Sequence, residues 1–219
     1  MFFAREGARE ILIATFLLGM LGWLASLVWW PLVIPFGLIW LWALAFFRDP
    51  PRRVRVREGE LCSPADGRVT EITELGHHEI LGGPAVRIGI FLSIFDVHIN
   101  RAPCTGRVRS LTYEAGEFLD ARHPESGRRN ESNSILLDPE SPLPGPVEVR
   151  QIAGKVARRI ICRVVAHQSV AAGERIGLIK FGSRTELILP KTTETRILVS
   201  VGTRVYAGLT ILASQNPPV

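Results

Sequence analysis

The chain has 219 residues, 47% of them hydrophobic and 21% charged, with a formal net charge of +5; a length of that order holds one ordinary domain and little more. Three cysteines, Cys62, Cys104 and Cys162, are an odd number without C-x-x-C spacing, which argues against both a disulfide framework and a zinc site. The basic balance comes mainly from arginine and suits an anionic membrane surface or a phosphate-bearing ligand, and with no dense basic run interleaved with aromatics, nucleic acid is not expected as a partner.

Residues 11–47 contain no Asp, Glu, Lys or Arg. The stretch 11–30 is an unbroken apolar run, and at about 1.5 Å of rise per residue a helix of that length crosses a bilayer core of roughly 30 Å. Pro31 and Pro35 interrupt it, and residues 31–47 form a second apolar run rich in Trp and Leu. The pattern predicts two apolar helices joined by a turn, a membrane anchor over 1–47. Arg5 and Arg9 precede the pair, and Arg48, Arg52, Arg53, Arg55 and Arg57 follow it. By the positive-inside rule both ends of the hairpin, and the domain that follows, belong on the cytoplasmic face of the cell membrane. A cleaved signal peptide is the competing reading, with Ala43-Leu44-Ala45 mimicking a cleavage site, but the apolar stretch far exceeds the usual core of about 7 to 15 residues.

Residues 48–219 read as one mainly β domain. Period-two alternation recurs at Val54 and Val56; at Val86, Ile88 and Ile90; at Val147 and Val149; at Leu187 and Leu189; and at Ile197, Val199 and Val201, each run bounded by Gly or Pro. Residues 114–134 are polar and aperiodic, the signature of a long functional loop. A short echo follows: Val170-Ala171-Ala172-Gly173 with Ile176, and Val205-Tyr206-Ala207-Gly208 with Ile211, repeat one V-x-A-G-x-x-I pattern. Paired β-turn-β units of this kind predict a β-sandwich with elements like those of lipoyl and biotinyl carriers, preceded by the hydrophobic helical hairpin. Neither echo has the lysine a carrier needs at its tip, so carrier function is not expected.

The richest stretch is Phe181-Gly182-Ser183-Arg184-Thr185-Glu186-Leu187-Ile188-Leu189-Pro190. A Gly-Ser pair alone is an ordinary turn. Here it stands between two strand-like runs, and three further motifs precede it in order: Ser63-Pro64-Ala65-Asp66-Gly67-Arg68-Val69, then Phe91-Leu92-Ser93-Ile94-Phe95-Asp96-Val97-His98-Ile99-Asn100-Arg101-Ala102-Pro103, then Asn130-Glu131-Ser132-Asn133. In this ordered set, over nearly its whole length, the chain resembles the phosphatidylserine decarboxylase family in its short bacterial and archaeal form.

The resemblance implies a proenzyme that cuts itself between Gly182 and Ser183 into a β chain, 1–182, and an α chain, 183–219, which remain together as a heterodimer; a higher oligomer is compatible with it. Ser183 would attack the Gly182 carbonyl, and the residue would end as a covalent pyruvoyl group that forms a Schiff base with phosphatidylserine in the membrane. No metal and no pyridoxal phosphate is implied. His98 is the expected acid/base group, with Asp96 near enough in sequence to tune it. Asp66 is expected in the cleavage machinery, orienting a base, although a plain β-turn also accounts for its motif. Where the long form has a second histidine this chain has Arg101, so either His98 serves both steps or another residue assists. Arg129, Asn130 and Asn133 are candidates for gripping the headgroup phosphate and carboxylate, against the reading of a solvated loop. His77, His78, His123 and His167 match no motif and read as surface residues.

Two other functions fit parts of the pattern. Asp66, His98 and Ser183 could form the triad of a membrane-tethered serine hydrolase, but Ser183 has no G-x-S-x-G elbow around it. A non-enzymatic adaptor on a lipoyl-like sandwich is the other, and the long heptad hairpin common in such proteins is not visible.

Overall fold

The computed structural model describes residues 2–123, 125–140, 143–155, 159–180 and 183–215, so Gly182, one half of the expected cleavage site, lies outside the described residues. The chain divides into two compact units, Met1–Pro51 and Arg52–Val219.

In the first unit, strand β1 (Phe2–Phe3) leads through a short 3-10 turn into helix α1 (Ala8–Ser26); helix α2 (Val33–Phe46) follows, and β2 (Arg48–Asp49) pairs back onto β1. Gly22 of α1 faces α2, where a Cβ would stand 3.7 Å from the Phe36 side chain. Trp40 Nε1 donates to Thr15 Oγ1 at 2.9 Å across the pair. Leu12, Phe16 and Trp23 point outward from α1. A helix apolar on every side and scarcely covered by protein fits lipid rather than water. The helical run Arg5–Ser26 is long and apolar enough to cross a membrane; Trp30–Phe46 is shorter.

The second unit is built of strands, with one short helix. Its elements are β3 (Glu60–Cys62), β4 (Gly67–His78), β5 (Gly83–Leu92), β6 (Ile99–Arg101), β7 (Gly106–Glu114), α3 (Ser126–Arg129), β8 (Ser132–Pro139), β9 (Val147–Ile152), β10 (Ile160–Cys162), β11 (Ser169–Val170), β12 (Arg175–Ile179), β13 (Ser183–Pro190), β14 (Arg196–Ile197), β15 (Arg204–Val205) and β16 (Ile211–Ser214). Eight strands form an antiparallel sheet in the order β11-β7-β8-β9-β13-β5-β4-β15, and two three-stranded sheets, β10-β12-β6 and β14-β16-β3, complete the domain. The mainly β fold behind an apolar N-terminal helix is the one the alternation predicts. One face of the large sheet carries the core, with Ile88 and Ile90 of β5, Val147 and Val149 of β9, and Leu187 and Leu189 of β13 all fully buried.

Two apolar runs turn out differently. Val54 and Val56 lie in no strand, because Val54 is the plug between two turns: a Cβ on Gly173 would meet its Cγ2 at 2.2 Å and one on Gly208 at 3.2 Å. Of the run from Ile197 to Val201 the paired part ends at Ile197, since a turn closed by the Thr203 N–H on the Ser200 carbonyl, with Gly202 at φ 93°, bends the chain away.

The echo seen in sequence is half of a larger repeat. Ser63-Pro64-Ala65-Asp66-Gly67-Arg68-Val69 and Ala102-Pro103-Cys104-Thr105-Gly106-Arg107-Val108 share a P-x-x-G-R-V pattern. The first opens β4, whose Gly67 faces Val205 of β15; the second opens β7, whose Gly106 faces Val170 of β11. Gly208 N–H donates to the Ser63 carbonyl and Gly173 N–H to the Ala102 carbonyl. Both turn glycines sit in the left-handed region, at φ 73° and 76°, where glycine is the residue of least strain. Ala207 N–H is capped by Asp66 Oδ1 at 2.7 Å, and Ala172 N–H by Thr105 Oγ1 at 3.1 Å. Asp66 and Thr105 therefore hold equivalent places in two copies of one module.

Candidate active site

Strand β13 positions the most informative residue. It is central, paired to β5 from Ser183↔Leu92 to Pro190↔Ala85 and to β9 from Arg184↔Ile152 to Ile188↔Glu148. Alternation sends Ser183, Thr185, Leu187 and Leu189 to the core face, and all four are fully buried. Ser183 Oγ has no hydrogen-bond partner among the described residues. Buried hydroxyls are nearly always satisfied, so this one calls for a chemical explanation.

His98 reaches the same neighbourhood by a different route. Beyond Leu92 the chain turns at residues 93–96, where Asp96 Oδ2 accepts both the N–H and the hydroxyl of Ser93 at 2.8 Å and the other carboxylate oxygen takes Arg204. The chain then passes His98 into β6, and the His98 carbonyl accepts the Ile179 N–H at 3.2 Å. So the chain is held by His98 at Ile179 and by Leu92 at Ser183, on either side of residues 181–182. His98 is fully buried, with Nδ1 2.9 Å from the main-chain oxygen of Asp96. A carbonyl can only accept, so Nδ1 carries a proton, which leaves Nε2 as the ring nitrogen for proton exchange. Asp96 thus orients His98 through its backbone, while its carboxylate holds the turn.

Asp66 stands one loop away. Arg101 N–H donates to the Pro64 carbonyl at 2.9 Å, joining the Asp66 loop to β6. The Asp66 carboxylate is buried, paired with Arg52 at 2.7 Å and bonded to the Ala207 N–H. Burial pushes its carboxyl above the usual range, and the Ala207 hydrogen bond and the Arg52 charge oppose that only in part. Arg101 is also buried and donates to the Gly173 carbonyl at 2.9 Å. It ties β6 to the second turn of the repeat.

A polar layer crosses the core one step from Ser183. Register puts Asn133 of β8 opposite Gln151 of β9, and Gln151 opposite Thr185 of β13. Asn133 Nδ2 donates to Gln151 Oε1 at 2.9 Å, Gln151 Nε2 to Asn100 Oδ1 at 2.8 Å, and Asn100 Nδ2 to Thr185 Oγ1 at 2.9 Å. All four are buried, and donation runs one way, toward Thr185. Glycine at 177 makes the room: a Cβ there would stand 2.5 Å from Gln151 Nε2. Sequence reasoning passed over Asn100, Gln151 and Thr185, yet the signal was present. Asn133 precedes Ile135 and Leu137, Gln151 follows Val147 and Val149, and Thr185 precedes Leu187 and Leu189. Each is a polar residue on the core phase of an apolar alternation.

The headgroup candidates are not brought together. Arg129 is exposed and forms a two-pronged pair with Glu117, the closer contact 2.8 Å. The Asn130 side chain is turned inward, accepting the Leu119 N–H and donating to the carbonyls of Leu119 and Ala153. Asn133 begins the polar layer. His77, His123 and His167 are exposed, whereas His78 is half-buried and lies 3.5 Å from the buried Glu148 carboxylate. Among the described residues no group of three or more His, Cys, Asp or Glu is placed to hold a metal ion.

With this geometry in hand the comparisons with known proteins are decisive. The family model described as phosphatidylserine decarboxylase matches residues 40–213. The chain belongs to the phosphatidylserine decarboxylase family. Proteins named phosphatidylserine decarboxylase proenzyme are similar to it throughout. That of Rhodopirellula baltica is 43% identical over 213 residues, 96% of this chain and 87% of its own length. That of Syntrophus aciditrophicus is 41% identical over 94% of both chains, and that of Azorhizobium caulinodans 44% identical over 80% of this chain and 75% of its own. Members of the family are carboxy-lyases, and this chain is one, which sets the adaptor reading aside.

Proposed function

We propose that the protein decarboxylates phosphatidylserine to phosphatidylethanolamine with a pyruvoyl group that it makes from Ser183, by cutting its own chain between Gly182 and Ser183. The observation that carries this reading is the Ser183 hydroxyl, fully buried at the head of a central strand and unpartnered among the described residues. Leaving such a group unsatisfied costs about 1–3 kcal/mol, more than packing alone explains. In the uncut chain Ser183 Oγ attacks the Gly182 carbonyl carbon, the C–N bond breaks and an ester replaces the amide; loss of the Ser183 Cα proton then expels the Gly182 carboxylate, and water hydrolyses the resulting dehydroalanine to the pyruvoyl ketone and ammonia. Glycine has no Cβ to obstruct that approach. His98 Nε2 is the base that takes the hydroxyl proton, its ring fixed by Asp96. Asp66 steadies the loop beside it, held by Arg52 and Ala207.

The pyruvoyl group supplies an electron sink for the carbon dioxide to leave from, and being covalent it needs no separately bound cofactor. The fully buried Ser183 position, at the head of a strand flanked by β5 and β9, fits such a group. Of the headgroup candidates Arg129 is the one whose guanidinium faces solvent, already matched to a carboxylate, while Asn130 and Asn133 support the loop and strand around it. The apolar run Arg5–Ser26 supports membrane attachment, with the arginines on either side favouring a cytoplasmic catalytic unit. A serine hydrolase would need a carboxylate behind His98. Here Nδ1 meets a main-chain oxygen, and Asp66 is committed elsewhere, which favours the decarboxylase.

Intact-mass measurement of the purified protein tests the reading in one step. The parent should resolve into 1–182 and 183–219, the second fragment blocked at its N-terminus and consuming borohydride at a ketone. Ser183→Ala should remain one chain of 219 residues without decarboxylase activity. A parent that turns over phosphatidylserine while still a single chain overturns the pyruvoyl mechanism.

A further inference from the structure

Among the described residues of the second unit, ten large apolar side chains are exposed, and six of them fall in two short segments: Ile94 and Phe95 in the turn 93–96, and Leu198, Val201, Tyr206 and Leu209 in the stretch 198–209. The other four, Ile80, Tyr113, Phe118 and Val165, lie in four separate places along the chain. Phe95 is 67% exposed and Val201 62%, on a domain whose core residues are close to fully buried. The two segments are one surface. Arg204 bridges them by pairing with Asp96, and its guanidinium lies 5.8 Å from the centre of the Tyr206 ring, with Arg52 at 5.9 Å from the same ring. Arg68 adds a hydrogen bond to the Gly202 carbonyl at 2.6 Å.

The exposed charges bonded to this patch are arginines, Arg68 and Arg204. No Asp or Glu occurs from residue 195 to the end of the chain. The acids that pair with its arginines, Asp96 and Asp66, are buried and bound to Arg204 and Arg52. Exposed Phe and Tyr beside arginine is the composition of a membrane–water interface facing anionic lipid. The turn that presents Phe95 is also the link between Leu92, which pairs with Ser183, and His98.

We infer that residues 93–96 and 198–209 form a face of the catalytic unit that seats on an anionic bilayer, Ile94 and Phe95 entering the headgroup layer beside the active site. The occupant is the lipid surface itself, and the inference rests on the reading of the substrate as a bilayer lipid. Seated this way, the enzyme would take its substrate from the leaflet without releasing it to water, and the face would act independently of the apolar helix.

The test uses the full chain in nanodiscs containing phosphatidylglycerol, with Cys162→Ser to leave a clean background, since Cys62 and Cys104 are buried. An environment-sensitive fluorophore on Phe95→Cys should be quenched by lipid bearing a nitroxide high on its acyl chain, and the same label on Val165→Cys should not. Phe95→Ser should lower turnover on vesicles by about tenfold, the scale set by withdrawing one aromatic side chain from an interface, and leave turnover of monomeric short-chain substrate unchanged. A label at 95 that stays unquenched overturns the inference. So does shielding from aqueous quencher in detergent that rises with protein concentration, which would place a second copy of the chain on this face. Failure of the parent to decarboxylate phosphatidylserine would sink the functional reading, while the quenching result would still decide whether this face meets lipid.

Discussion

The His98 ring has its protonation pattern set by its neighbour. With Nδ1 anchored on the Asp96 carbonyl, the ring can exchange a proton only at Nε2, the arrangement a single acid/base residue needs if it serves two successive steps. His98→Ala should therefore lose decarboxylation by roughly 10²–10⁴-fold and slow self-cleavage, and should also lower the melting temperature because a fully buried side chain is removed. Carbon dioxide release and the ratio of cut to uncut chain measure the two effects separately, and full turnover by the variant would remove His98 from the mechanism. Ser183, Gly182 and His98 are read from the sequence through the motifs that carry the family resemblance, and the structure adds the full burial of Ser183 and His98. Asp66 was harder to read, and the structure says why. Its first duty, capping the Ala207 N–H, is the duty Thr105 performs in the second copy of the module, so turn and catalytic readings share one set of residues. What Asp66 has beyond Thr105 is a charge, and that charge is what Arg52 binds.

At the scale of strands, period-two alternation located β5, β9 and β13, since one face of each carries the aliphatic core, even though β13 is buried on both faces. It did not locate strands where an apolar residue serves another purpose, as Val54 does in plugging the two glycine turns. The same alternation, followed one step past the last aliphatic residue, leads to the polar layer. Gln151→Leu would strand Asn133 Nδ2 and Asn100 Oδ1 in the core, each costing about 1–3 kcal/mol. The expected result is a folded protein of lower melting temperature whose self-cleavage slows, because Thr185 shares its strand face with Ser183 two residues away. Cleavage at the parental rate would reduce the layer to a packing feature. The opposite face of these strands has its own clamp: Glu71 of β4 accepts Arg87 of β5 at 2.6 Å and Arg184 of β13 at 2.5 Å. Partial burial would raise the Glu71 carboxyl, but hydrogen bonds from Arg184, Thr73 and Arg87 outweigh it and hold it at about 2. A carboxylate depressed on folding contributes stability that is complete above its unfolded value near 4.5 and is lost as the pH falls toward about 2. Asp66, shifted upward, gains on protonation over acid pH and works the other way. Thermal melts of the parent and Glu71→Gln isolate the Glu71 contribution: the variant should be less stable at neutral pH, and the gap should close between about pH 4.5 and 2.

For the molecule as a whole, the expected cut falls where the fold tolerates it least in covalent terms and best in non-covalent ones. The fragment 183–219 begins with β13, which lies between β5 and β9 with ladders on both sides. It continues through β15, paired to β4, and ends with β16, paired to β3. Leu187, Leu189, Val205 and Leu212 are each fully buried within the common core. Burying side chains of this kind contributes about 1.5–3 kcal/mol apiece, so cutting one peptide bond leaves the fragment held by the same contacts that folded it. A strand with neighbours on both edges is a poor candidate for later insertion, so the proposed cut would follow folding. The cleaved protein should elute from a sizing column in non-denaturing detergent as one species, while a denaturing gel separates its two chains. Dilution into denaturant should release the fragment 183–219 only across the main unfolding transition of the catalytic unit. If the fragment instead dissociates in native buffer, its strands are not the integral part of the sheet that their pairing indicates. Leu187→Ala probes the same point more gently: a cavity on the central strand should cost about 2–5 kcal/mol and bring fragment release and unfolding to lower denaturant together. Separation of those two transitions in the variant would show that the cut chain is held by β14, β15 and β16 rather than by β13.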